Sequence, residues 1–270
     1  MALGLLSALI STSSGEVPPR PSIEDFYPEI LFFEGTPFAM NRIMLVRVIA
    51  VVAICVIFAI GAARAKKVPG RFQGALEIVL DFVRTQIAGA VIESPKLAKR
   101  YTPPLTVIFL GIFAMNITGV LPFLNIAGTS VVGAPIVFAL FSYLLFIGAG
   151  IKEQGFLHFF KSQLFPPGVP KPVYILLTPI EVFSTFIVRP VTLVIRLLAN
   201  MLAGHLMLAL TFFGTHYLLF FADGFLKGAA ALTFTGSLFT ILLETLVAGI
   251  QAFVFAMLTA IYIQLSVSEH

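Results

Sequence analysis

Apolar residues run along this chain in blocks long enough to cross a bilayer, which takes roughly 20 helical residues, and most of the charge sits in the breaks between them. The first block, Ile43 to Ala63, has Arg42 and Arg47 at its start and gives way to Arg64, Lys66, Lys67 and Arg71. A basic cluster at the exit of a span marks the cytoplasmic side, so this span runs inward. From Arg71 to Ile92 apolar residues take helical spacing, with Phe72, Leu76, Val79, Leu80, Val83 and Ile87 set against Glu77, Asp81 and Arg84. That pattern predicts an amphipathic helix lying on the inner face. Lys96, Lys99 and Arg100 follow, and Pro103 and Pro104 are expected to open a second span that reaches about Leu124. The uncharged Asn125 to Ser130 turns the chain into a third span from about Val131 to Ile151. Lys152, Lys161 and Lys171 against Glu153 then bring it back to the cytoplasmic side.

The blocks from Val173 to Phe221 and from Leu226 to Ser266 are longer than a perpendicular crossing needs at about 1.5 Å per residue, so they must tilt or bend. Asp223 and Gly224 mark a turn between them, which makes an antiparallel hairpin with its tip outside and its tail, Glu269 and His270, inside. Pro179 and Pro190 permit bends in the first arm where neighbours satisfy the freed carbonyls. The expected fold is an all-α polytopic membrane protein. It has three near-perpendicular spans, one amphipathic interfacial helix and a long tilted antiparallel helical hairpin over residues 173–267, within a membrane domain 41–270. Residues 1–40 form a lead-in. Its five prolines, with Glu16, Glu24, Asp25, Glu29 and Glu34 against the lone Arg20, predict an irregular acidic segment on the translocated side. Met1 to Ile10 is apolar but short for a signal peptide and lacks its basic start.

Composition narrows the function. Of 270 residues, 59% are apolar and 11% charged, too little charge to cover the surface of a soluble domain. The net charge of +4 sits beside apolar runs as a topology signal, so nucleic acid is not an expected partner. Cys55, the single cysteine, can form neither an internal disulfide nor a cysteine-based metal site. No cofactor or metal is expected. The lack of an evident cluster of oxygen ligands favours protons over sodium as the ion.

The hairpin nevertheless holds Glu181, Arg189, Arg196, Asn200, His205, Glu244 and Gln251, a set that hydrocarbon would not tolerate facing lipid. Arg189, nearer the inner end, suits either a side chain reaching back to the headgroups or one buried for function. Arg196 lies about as deep as the bilayer midplane and is expected to be buried. At about 100° per residue, Arg189, Arg196 and Asn200 share a face while His205 points elsewhere. Glu244 and Gln251 share a face of the second arm. If Arg196 and Gln251 lie at one depth, His205 meets position 242, less than a turn from Glu244. Histidine and a carboxylate can relay protons near neutral pH or form a static ion pair, and both readings stand on the sequence. Glu181 lies 24 residues from His205, roughly 36 Å along the axis, and serves the inner side. The hairpin thus suggests two aqueous half-paths kept apart by an arginine, which stays protonated, repels a passing proton and attracts a carboxylate. This chain offers no carboxylate to meet Arg196 in each cycle, so another subunit is expected to supply it.

The run from Pro190 through Arg196, Asn200 and Gly204 to His205 resembles the signature of subunit a of the F-type ATP synthase. Met115 with Asn116, Leu121 with Pro122, Glu181, and Glu244 to Gln251 followed by Ala252 to Phe255 extend the likeness over most of residues 40–267. The resemblance implies a non-catalytic stator subunit pressed against a rotating ring of c subunits, with a b subunit or equivalent peripheral stalk beside it in the bilayer. It implies that Arg196 separates two proton half-channels, that Asn200 and Gln251 orient it or nearby water, and that His205 and Glu244 line the inlet and Glu181 the outlet. The interval from Glu181 to Arg196 is one residue longer than the family pattern, with the extra residue before Pro190, and a local bulge can absorb it. The acidic lead-in favours a bacterial plasma membrane over the mitochondrial inner membrane. Two other readings predict different behaviour. An independent ion-coupled transporter would use Arg196 to bind an anionic substrate, and a purely structural assembly subunit would tolerate its loss.

Overall fold

The computed structural model describes residues 30–32, 40–121, 126–164, 174–224 and 226–268, and nearly all of them are helical. Met1 to Ile10, most of the acidic lead-in, Pro122 to Asn125, Lys171, Val173 and the Glu269–His270 tail lie outside the described residues. At the end of the lead-in, β1 (Ile30–Phe32) pairs antiparallel with β2 (Met40–Asn41), a small ribbon where the sequence suggested irregular chain.

The first span is α1 (Arg42–Ala63), capped by the Asn41 side chain, which accepts the Met44 N–H at 2.9 Å. Arg47 in its second turn reaches the connection between the next two spans, donating from Nε to the Gly128 carbonyl at 2.7 Å and from Nη2 to that of Val131 at 3.0 Å. These bonds collect the outer ends on one side, as the basic clusters require. α2 (Arg71–Phe82) runs on through a π-helical turn, Val83–Ala88, to Val91. It buries residues only from Val83 onward, through Ile87, Ala88 and Ile92, so its first turns present the exposed amphipathic stretch foreseen at the inner face.

The second span differs from the expectation. α3 (Pro95–Ile117) encloses Pro103 and Pro104 instead of starting at them, and it ends well short of Leu124. Pro95 occupies the first helical position, where the missing N–H costs nothing, and fixes the start. The inner proline pair leaves the carbonyls of Lys99 and Arg100 without their usual donors, close to the charged end where water can reach them. Arg100 pairs there with Glu153 at 3.1 Å, tying the inner end of α3 to that of α4 (Gly133–Gln154), the third span. α4 stops at Gly155, whose φ of +82° suits glycine. The chain then forms α5 (Phe156–Leu164) where the basic residues alone suggested a loop. Phe159 explains the helix. Its ring is fully buried against Gly150, where any Cβ would collide with it, and it meets Phe146 at 6.2 Å between centroids.

The hairpin comprises α6 (Tyr174–Phe183), a π-helical turn at Ser184–Val188, α7 (Arg189–Phe220) and α8 (Leu226–Val267), with Gly224 at φ +60° in the tip. Four helical stretches are long and apolar enough to cross a membrane: Arg42–Ala63, Gly133–Gln154, Leu176–Phe220 and Leu226–Val267. α3 packs against α8 and α1. Ala248, Ala252, Ala256 and Ala260, all buried and four residues apart, give α8 a smooth stripe on which neighbouring helices approach closely. Ser142 of α4 and Thr259 of α8 share a buried hydrogen bond of 2.7 Å across that contact. At the inner end, the Glu93 N–H donates to Gln264 at 3.3 Å, which puts the end of α8 beside the basic turn.

The π turn sits between Glu181 and Pro190, where the additional residue was located. A π turn holds one residue more than an α turn. Eight residues of unbroken α-helix would leave Glu181 and Arg189 about 80° apart, whereas absorbing one step brings them within about 20°. Thr185 is buried inside the turn, and Phe186 meets Tyr143 of α4 and Phe160 of α5 at 6.3 and 6.2 Å. Deleting the exposed Ile187 is therefore expected to restore an α-helical register and leave membrane accumulation near the parental level. Deleting Ile195 turns everything on the inner side by about 100° and is expected to abolish accumulation. Immunoblots of membrane fractions check both.

Candidate functional site

The two arms meet through polar groups as well as alanines. Asn200 Nδ2 donates to Gln251 Oε1 at 2.8 Å, Thr215 bonds Thr233 at 3.0 Å nearer the tip, and the Glu244 carboxylate lies over Gly204. A Cβ on Gly204 would stand 2.7 Å from Glu244 Oε1, so glycine is what lets the acid lie there. Gln251 thus sits opposite Asn200, one turn beyond the Arg196 register expected from depth alone. The two amides complement each other as donor and acceptor, which an arginine and an amide side chain do less fully. Glu244 lies over Gly204, the residue before His205, and helical neighbours point about 100° apart, so this approach is to the backbone of α7 at that level. His205 is half-buried and engaged with its surroundings. Glu244 Oε2 and Gln251 Nε2 are buried with no hydrogen-bond partner among the described residues, and Gln251 is only 3% exposed. Such atoms require water or a partner group.

Arg196 departs from the expected burial. In the single chain its side chain is exposed, and neither a hydrogen bond nor an ion pair holds it among the described residues. Large apolar side chains are exposed elsewhere on the same two helices, among them Val191, Ile195 and Met207 on α7 and Leu242, Leu246 and Ile250 on α8. Asn200 is exposed on the same side. Depth was the wrong clue to burial, because the face is open in one chain.

Toward the inner end, Glu181 and Arg189 face each other, with Nη2 3.8 Å from Oε1 and a long contact of 3.5 Å from Thr185 Oγ1 to the same oxygen. Of the two possibilities for Arg189, the structure selects the enclosed one. Its side chain is 21% exposed, its Cζ lies 5.4 Å from the Tyr262 ring centroid, and Nη1 is buried without a hydrogen-bond partner. Ser142, Tyr143 and Tyr262 line a small recess beside it. Tyr262 is absent from the candidates read in the sequence, although it lies eleven residues, close to three full turns, after Gln251 and so on the same face. Asn116, cited only as part of a motif, is fully buried and accepts the Thr129 hydroxyl at 2.5 Å. No group of three His, Cys, Asp or Glu side chains gathers to hold a metal among the described residues.

The model of the ATP synthase A chain family matches residues 44–264, which takes in every one of these side chains. The chain belongs to that family. Among its relatives, ATP synthase subunit a of Rhodococcus erythropolis is 42% identical over 254 residues, spanning 93% of this chain and 91% of that one. Subunit a of Pseudarthrobacter chlorophenolicus is 38% identical over 257 residues, 95% and 96% of the two chains, and that of Streptomyces lividans 31% over 253 residues, 93% and 89%. As an ATP synthase A chain, this is a multi-pass membrane protein of proton transport and ATP synthesis, working in a complex with other subunits.

In this A chain the position of the Glu244 carboxylate depends on the absence of a side chain at 204. Gly204→Val is expected to displace that carboxylate and slow ATP-driven proton pumping in membrane vesicles by roughly tenfold or more, with the complex still assembled. Unchanged pumping would show that the close approach has no functional weight.

Proposed function

We propose that this A chain is the stator half of a rotary proton motor in a bacterial plasma membrane, with its α7–α8 face set against a ring of c subunits and a b subunit or equivalent stalk at its side. The observation that carries the reading is Arg196. An exposed guanidinium with no hydrogen bond or ion pair among the described residues, on a long apolar helix, is costly against lipid and well suited to a protein surface that brings a carboxylate to it. Fixed there, it discharges each arriving ring carboxylate and repels protons that would otherwise cross directly.

His205 and Glu244 form the outer half-path. The unpartnered Glu244 Oε2 and Gln251 Nε2 supply an acceptor and a donor for water between the outside and the ring. Asn200 and Gln251, bonded to each other one turn from Arg196, hold the outer boundary of the arginine's zone. Glu181 belongs to the inner half-path, with Arg189 and Tyr262 around it. A transporter would need Arg196 to look into a recess able to enclose a solute, whereas this arginine looks outward from an open face.

Arg196→Ala is expected to abolish coupled ATP synthesis while the complex still assembles and its membranes leak protons. Normal synthesis in that variant would overturn the motor reading. Glu244→Gln is expected to slow proton uptake far more than it lowers assembly, as measured by pumping per assembled complex. Equal losses of both would point to a static ion pair.

A further inference from the structure

We propose that Arg189 is a positioning residue for Glu181, clamping the inner carboxylate against the second arm of the hairpin so that it stays at one point of the inner half-path. The inference rests on the reading of Glu181 as part of that path.

Three features converge on it. The π turn Ser184–Val188 aligns Glu181 and Arg189 on one face two turns apart, close enough for Nη2 to come within 3.8 Å of Oε1. The guanidinium then lies over the Tyr262 ring on α8, 5.4 Å from its centroid, which fixes its far side. The turn itself is held by buried Thr185 and by Phe186, which contacts α4 and α5. The carboxylate, the guanidinium and the ring therefore form one chain of contacts running from α6 to α8.

The alternative for each charged group is to leave the protein. α6 is near the inner end of the hairpin, and a glutamate there can turn toward headgroups and water at little cost. The partly buried cation removes that freedom, because Glu181 gains a counter-charge only by facing inward. An arginine suits this task better than a lysine. Its planar group stacks on an aromatic face while its edge meets an acid, whereas an ammonium offers a compact charge with no stacking plane. Lysine should therefore keep the charge attraction and lose part of the geometry.

The test uses the whole complex in membrane vesicles, with the peripheral ATPase part removed so that passive proton conduction under an imposed potential is read per assembled complex. Arg189→Gln is expected to lower conduction several-fold, to about the level of Glu181→Gln, and the double variant to be no slower than Glu181→Gln alone, because coupled residues are not additive. Arg189→Lys should recover most of the loss. Tyr262→Leu removes the stacking face without touching a charge, and should slow conduction with Glu181 present and have no effect in the Glu181→Gln background. This last pair carries the test if Arg189→Gln fails to assemble. Normal conduction in Arg189→Gln, or additive losses in the double variant, would overturn the clamp and leave the Glu181 reading intact. Normal conduction in Glu181→Gln would overturn that reading, and the clamp with it.

Discussion

A polar side chain within hydrocarbon has only protein or trapped water to turn to, and the architecture of this chain follows from that scarcity. Asn200 turns to Gln251, Ser142 to Thr259 and Glu181 to Arg189. Two of the three contacts join separate helices, and the third crosses a break in helical register. Each fixes a relative rotation that apolar packing alone leaves soft. Arg196 has neither a hydrogen bond nor an ion pair among the described residues. Glu244 Oε2, Gln251 Nε2 and Arg189 Nη1 are also left without a hydrogen-bond partner among the described residues, but they are buried, whereas Arg196 is exposed.

Close approach is the second half of the design. The alanine stripe of α8 and the bare backbone at Gly204 bring the arms near enough for short side chains to meet. The same economy appears at Gly150, which admits the Phe159 ring and lets α5 fold back under α4. The exposed side of α1 is rich in valine and isoleucine, as suits a helix whose solvent is itself apolar.

Much of this was legible in the sequence. Hydropathy located α1, α4 and both arms of the hairpin to within a few residues, because a bilayer imposes length and apolarity on any segment that crosses it. The Arg47 and Arg100 contacts join helix ends that the basic clusters assign to a common side. What failed was local. Pro103 and Pro104 were read as a helix start because proline usually breaks helices, but Pro95 had already taken that place. The basic residues around α5 point to a loop, whereas Phe156, Phe159 and Phe160, at helical spacing, carry the signal for the helix. In the site, the charged and amide residues were visible while Tyr262 was not, and the seven-residue interval of Glu244 and Gln251 gave their common face. The register slipped by one turn because depth is a coarser guide than amide pairing. The fate of Arg189 depended on Tyr262, a residue distant in sequence that no local pattern connects to it.

The length of α8 has a further consequence. Its 42 residues measure about 63 Å if straight, roughly twice the hydrocarbon thickness, so a helix with both ends at the faces must incline by about 60° from the membrane normal. At that inclination, distance along the helix becomes mostly distance sideways. Glu181 and His205 are then separated far more in the plane of the membrane than through it. In the proposed motor, a proton handed from one neighbourhood to the other travels laterally, a displacement that a turning wheel supplies and a simple pore does not.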